Sequence, residues 1–239
     1  VVGGRPIHPV NVRLGGFYRS PRRRELGDLV PDLVRAHAAA IALVRWVAGF
    51  EFPSIPDRLA ENTAFVSQRH PAEYPLNEGR IVSNLGLDLD VAALGDRLRA
   101  IHVAHSTALH ATHDGDRRDQ VAPLARWMNN YDLLTDSVRG LAADVGIVEV
   151  DTNPFRSIVL RGLETLWAVE EAMRINEADP PPPEPAVAGP AVGGIGEAAS
   201  EAPRGLLYHR YELDGAGIIA DAVIVRPTSQ NQIAIEADM

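Results

Sequence analysis

The sequence predicts an α+β fold that is predominantly helical, with a long-helix core, small antiparallel strand elements and a C-terminal hairpin. Three observations carry this. Apolar residues recur at three- and four-residue steps over Pro21 to Phe50 and again over Phe155 to Met173; residues 52 to 90 break into short runs between prolines and glycines; and Leu206 to Val225 has the composition of two strands joined by Asp214-Gly215-Ala216-Gly217.

In chain order, Gly3-Gly4-Arg5-Pro6-Ile7-His8-Pro9 reads as a tight turn that presents an arginine and a histidine, and Val10 to Phe17 as a short strand running into Gly15-Gly16. Leu26, Leu29, Val30, Leu33, Val34, Ala38, Ile41, Val44 and Val47 form the apolar stripe of one long amphipathic helix, bent at Pro31. Thr63 to Ser67 and Arg80 to Ser83 are short strands, Val91 to Ala104 is helical, and Asp114-Gly115-Asp116 marks a turn. One or two helices follow over Val121 to Val145, with Pro123 tolerated in a first turn. Asn153-Pro154 opens the most regular helix, which Pro180 to Pro183 stops. Residues 180–200, rich in Pro, Gly and Ala, are either an extended linker or a close-packed crossing.

Composition excludes several classes of function. A chain of 239 residues, 46% hydrophobic and 23% charged, is globular rather than disordered. No apolar run reaches the ~18 residues of a membrane span, so none is expected. A net charge of -9 argues against nucleic acid as a partner, and the basic cluster Arg19 to Arg24 reads as a solvated turn. The chain has no cysteine, which removes disulfides, thiolate metal ligands and cysteine nucleophiles together. His102, His105, His110 and His113 invite a zinc reading, with His102 and His105 sharing a helix face, as could His110 and His113; ordinary hydrogen bonds at a helix end are the favoured alternative.

The chemistry concentrates in Glu201-Ala202-Pro203-Arg204-Gly205 and Pro227-Thr228-Ser229-Gln230-Asn231, the two ends of the hairpin region. Arginine carries five donors and no acceptor, so Arg204, delivered inward, requires acceptors. An ion pair with a carboxylate such as Glu201 is one reading; a site shared with Thr228 for an acceptor-rich ligand is the other. Strand pairing would bring Arg204 and Thr228 together at the open end of the hairpin.

Seven collinear segments resemble the large (alpha) subunit of nickel-iron hydrogenases, specifically the cytoplasmic, cofactor-reducing branch. They are Gly3 to Pro9 with Gly15-Gly16-Phe17, Gly79 to Ser83, His105 to His110, Pro123 to Arg126, Asn153 to Ile158, Glu201 to Gly205, and Pro227 to Asn231. The resemblance implies heterolytic cleavage of dihydrogen at a nickel-iron centre whose iron carries cyanide and carbon monoxide, with room for a magnesium ion. It implies an iron-sulfur small subunit as partner, and further diaphorase or carrier-reducing subunits that deliver electrons to an NAD(P)- or F420-type carrier. In that family four cysteines in two CxxC motifs hold the metals. With neither motif here, residues 1–239 are expected to be a single partial domain from the middle of the subunit, carrying no metal ligand and inactive alone.

By the same resemblance Arg204 lies over the open side of the metals and donates to one cyanide, Thr228 binds the second cyanide, and Ala202 and Pro203 form a dry wall. A guanidinium gives up its proton reluctantly, so Arg204 is expected to polarise and orient, with a cysteine thiolate outside this chain as first proton acceptor. His8 matches a histidine on the electron-transfer side near the small subunit, with Arg5 as its companion. The sequence departs from the branch in two places. Ala122-Pro123 stands where Gly-Pro is usual, and Ala100 and His102 stand in a region that usually holds a glutamate. Two other readings compete: a subunit like that of respiratory complex I, without nickel, at a quinone site, and a degenerate cysteine-less large subunit with an assembly role.

Overall fold

The computed structural model describes residues 1–5, 8–55, 62–113, 118–178, 180–190 and 192–238. The turn read at Asp114 to Asp116 lies outside them, as do Pro6 and Ile7. Among the described residues 38% are helical and 23% lie in strands, so the expected helical predominance gives way to a mixed α/β arrangement.

The N-terminal turn leads into a short hairpin, β1 (Val12–Arg13) and β2 (Gly16–Phe17). The stripe over Pro21 to Phe50 forms two helices rather than one bent helix, α1 (Arg23–Gly27) and α2 (Val30–Ala48). Pro31 sits in the first turn of α2, where a missing N–H costs nothing, so the chain breaks before it instead of kinking at it. Next come β3 (Thr63–Arg69), β4 (Arg80–Ser83), β5 (Asp88–Leu89) and a single helical turn, α3 (Val91–Leu94).

The helix expected over Val91 to Ala104 therefore ends at Leu94, capped by Gly95. Arg99–Ile101 is instead a strand, β6, paired with β7 (His110–Thr112). His102 and His105 thus lie in the loop joining two strands and not on a helix face. After β8 (Arg118–Gln120) come α4 (Pro123–Asn130), a 3-10 turn at Tyr131–Leu133 and α5 (Asp136–Asp144). The side chain of Asn153 accepts from the Phe155 N–H to start a 3-10 turn that runs into α6 (Ser157–Ala178).

The far part of the Pro/Gly/Ala segment, 194–200, joins the first two residues of the arginine segment to form β9 (Gly194–Ala202). It pairs along its whole length with β10 (Gly205–Leu213), which pairs in turn with β11 (Ile219–Val225). The expected hairpin is thus two strands of a three-stranded antiparallel sheet. Its remaining end, Pro227–Asp238, is a helix, α7.

The described residues form two apolar cores, separated by β3. Pairing along β3 is antiparallel with β4 and parallel with β8, so the strand elements are not all antiparallel. It is buried almost from end to end, and its alternation sends Phe65 to one core and Ala64 and Val66 to the other. The first core packs α2 against α6 through Val44, Val47, Leu160, Leu163 and Leu166, with Trp127 of α4 and Val138 of α5. Each such side chain contributes roughly 1.5–3 kcal/mol by burial. The second core joins Ile81, Leu94, Ala111 and Val121 to Leu206, Tyr208 and Val225 of the C-terminal sheet. This contact seats the β9–β10 turn beside the start of α4.

Candidate functional site

Pro203 and Arg204 are the two-residue turn between β9 and β10, closed by the Ala202–Gly205 pair. The turn sits close against the chain entering α4. Gly205 has φ +119°, and a Cβ there would lie 2.4 Å from Val121 Cγ2 and 2.5 Å from the Ala122 nitrogen, so glycine is required twice over. Ala122 itself has φ 97° and ψ -162°, a backbone conformation almost reserved for glycine. The expected departure from Gly-Pro is therefore a strained alanine that keeps the glycine geometry.

Across this turn lies the first turn of α7, carrying Thr228. Asn231 of α7 binds both neighbours: its Oδ1 accepts from the Val121 N–H at 2.8 Å and its Nδ2 donates to the Arg204 carbonyl at 3.3 Å. Gln230 adds a 2.6 Å bond from Nε2 to the Leu206 carbonyl. These bonds fix Thr228 opposite Arg204. Pro203, Arg204 and Thr228 line one cavity of about 390 Å³ with apolar walls that include Val121, Leu124 and Ile235. Arg204 is exposed within it rather than buried. Arg161 and Asp238 also line the cavity, and partial burial raises the Asp238 carboxyl above its usual range.

The inward-facing arginine that the sequence led us to expect is present, but it is Arg126. Its guanidinium grips Glu164 through Nε and Nη2 at 2.6 and 2.7 Å and reaches Glu201 Oε2 through Nη1 at 3.0 Å. It also donates to the carbonyls of Ala202 at 2.8 Å and Pro203 at 3.4 Å, the residues that precede Arg204. Glu201 completes its bonding by accepting from the Gln68 N–H at 2.7 Å, and the Tyr74 hydroxyl donates to Glu164 at 2.8 Å. The ion pair read between Arg204 and Glu201 is not formed. Glu201 is committed to Arg126, which leaves the Arg204 side chain to the cavity.

Burial works against the charge on Arg126, but Glu164 and Glu201 outweigh it and hold the guanidinium firmly protonated. Burial pushes Glu201 up despite that cation, and burial beside Glu164 raises the Tyr74 phenol well above its usual value. The sequence signal for Arg126 is the segment Pro123 to Arg126, an arginine ending an otherwise apolar run.

The other expected site residues are placed apart. Ala202 does not line the Arg204 cavity; with Pro203, Arg126, Glu164 and Glu201 it lines a neighbouring one of about 420 Å³, and Pro203 belongs to both. Arg5 and His8 are exposed on the N-terminal turn, where Arg5 Nε donates to the His8 carbonyl and His8 has φ 54°. Neither lines the Arg204 cavity.

No protein-family profile matches the chain. It is 28% identical over 238 residues to the alpha subunit of sulfhydrogenase 1 from Pyrococcus furiosus, covering 99% of this chain and 55% of that protein. Its fold matches a chain of an NAD+-reducing [NiFe]-hydrogenase with a TM-score of 0.71 at 22% identity, over 99% of this chain and 56% of the other. A chain of the Ni-Fe-Se hydrogenase from D. vulgaris Hildenborough matches with a TM-score of 0.66 at 15% identity, over 95% and 56%. The chain thus spans about half the length of the relatives it matches. No helix among the described residues is long and apolar enough to cross a membrane. The likeness to the large (alpha) subunit of nickel-iron hydrogenases holds in both sequence and fold over nearly the whole of this chain.

Proposed function

We propose that this chain is part of the catalytic subunit of a nickel-iron hydrogenase that cleaves dihydrogen reversibly and heterolytically. The observation that carries this is the meeting of Arg204 and Thr228, from a strand turn and a helix start, in one largely apolar cavity. A permanent five-donor cation and a hydroxyl facing the same space suit an anionic, acceptor-rich group.

The residues present fit the outer side of a nickel-iron centre and not its ligand shell. The chain has no thiolate to hold the metals, whereas Arg204 and Thr228 have the donors that cyanide nitrogens would accept. Such a centre would supply the binding and heterolysis of dihydrogen. Within this chain, Arg204 donates hydrogen bonds and sets a fixed positive potential, Thr228 donates through its hydroxyl, and Pro203, Val121 and Leu124 limit water. That potential acts with least screening wherever the cavity walls exclude water from beside it. Since a guanidinium is a poor proton acceptor, Arg204 orients and polarises and does not take the proton.

We infer further that electrons pass through an iron-sulfur small subunit and carrier-reducing subunits to an NAD(P)- or F420-type carrier in the cytoplasm; likeness to an NAD+-reducing enzyme favours a carrier of the first kind. His8 and Arg5, exposed together on the N-terminal turn, are the groups we assign to the side facing the small subunit. The test is the nickel and iron content of the full-length protein together with hydrogen-dependent reduction of an artificial dye. Stoichiometric nickel with dye reduction is expected; a protein without nickel would instead support a complex I-like or purely structural role.

A further inference from the structure

We propose that His105, His110 and Glu236 form a binding site for a divalent transition-metal ion, zinc foremost, that clamps the C-terminal helix to the β6–β7 hairpin. The three side chains come from three places in the fold: the loop between β6 and β7, the first residue of β7, and the last turn of α7. Their ligating atoms all lie within 4.8 Å of one another. His105 Nε2 is 3.1 Å from both carboxylate oxygens of Glu236, and His110 Nε2 is 3.1 Å from Oε1. With zinc–ligand bonds of about 2.1 Å, two ligands of a tetrahedral ion stand about 3.4 Å apart. The observed spacing is therefore already close to that of one edge of a coordination tetrahedron.

His110 supplies an independent indication. It is only 3% exposed, and its Nε2 has no hydrogen-bond partner even though Oε1 is 3.1 Å away. His105 Nε2 is hydrogen-bonded to the same carboxylate, whereas the His110 nitrogen lies beside the oxygen without a hydrogen bond, an arrangement that ligation of a shared ion would accommodate. A buried nitrogen left in this state is costly, and a metal bond would satisfy it. Two imidazoles and one carboxylate also make a typical nitrogen–oxygen donor set for zinc, with a fourth position left for water. His105, whose side chain is 65% exposed, leaves the cluster open to ions from solvent.

The position gives such an ion a role. Glu236 is near the end of the helix whose first turn carries Thr228 and whose Asn231 holds the Arg204 carbonyl. Fixing that end to β7 would restrain the whole helix. None of the three side chains lines the cavity shared by Arg204 and Thr228. The competing arrangement is a metal-free one, in which Glu236 is paired directly with the two histidines.

The full-length protein, freed of loosely held ions by a chelator, is titrated with Zn2+ alone, with nickel and iron counted separately. We expect one additional zinc per chain, and Co2+ in its place should show the intense visible absorption of a tetrahedral site. His105→Ala and Glu236→Gln each remove a direct ligand and should weaken binding by more than the about 10- to 100-fold typical of losing a residue that only supports a ligand. His105 is exposed, so its variant keeps the test valid if His110→Ala fails to fold; circular dichroism verifies the fold of each. The proposal is overturned if no zinc is held, or if both variants bind it as tightly as the parent.

Discussion

The Arg126 guanidinium donates to the Glu201 carboxylate at 3.0 Å, and by doing so withholds that carboxylate from Arg204, three residues further along the chain. The two arginines divide the labour of the site. Arg126 is spent inside, holding Glu164, Glu201 and the carbonyls of Ala202 and Pro203, and this braces the turn that offers Arg204 to the cavity.

Replacing Arg126 by Met would leave Glu164 and Glu201 without their cation. Stability should fall by about 3–5 kcal/mol, the usual loss when one partner of a buried pair is removed. Chemical denaturation measures it. A loss below about 1 kcal/mol would mean that the cluster is solvated enough to do without the arginine.

Glu201 gives a pH dependence of definite sign. Burial raises its carboxyl in the folded state, so the stability it contributes is complete below the unfolded carboxylate value and is lost as pH rises through the folded one. Glu201→Gln removes that loss. The destabilisation caused by the substitution should therefore be larger near about pH 4.5 than near about pH 7.5. Denaturation midpoints at the two pH values check the order.

Ala122→Gly should stabilise the protein by about 1 kcal/mol or more, since a non-glycine residue in this backbone region costs about 1–3 kcal/mol. Thermal melting is the measurement. An unchanged or lower midpoint would show that the alanine methyl compensates by packing.

Gly205→Ala acts in the opposite direction. A Cβ 2.5 Å from the Ala122 nitrogen forces the β9–β10 turn away from the start of α4, at a cost of at least about 2 kcal/mol. Its signature beyond stability is a weakened hydrogen bond from the Val121 N–H to Asn231 Oδ1, visible as faster amide exchange at Val121.

What could be read from the sequence was what local periodicity and punctuation encode. The stripe of α6 from Val159 to Leu166, the short strands at Thr63 and Arg80, and the hairpin turn at Asp214 to Gly217 all follow from spacing and turn chemistry. The juxtaposition of Arg204 and Thr228 was legible for the same reason, because strand pairing sets which ends meet. Features decided by tertiary partners were not legible. The small residues up to Ser200 read as a linker or a close-packed crossing because they have no alternation, yet Gly194 to Ala202 pairs as a strand against β10. Arg99 to Ile101 follows a helical run, yet pairs with His110 to Thr112. The role of Arg126 depends on Glu164 and Glu201, each far from it in the chain, and no local pattern announces such a cluster.

The central claim is that Arg204 serves as a fixed donor and positive potential at the site it shares with Thr228, and its most direct test is Arg204→Lys in the complete subunit. Lysine keeps the charge but loses the fork of donors. Nickel and iron content should stay at the level of the parent protein, while hydrogen-dependent turnover falls by about two orders of magnitude or more, the loss typical of one preorganised donor. Unchanged turnover with the metals in place would contradict the account.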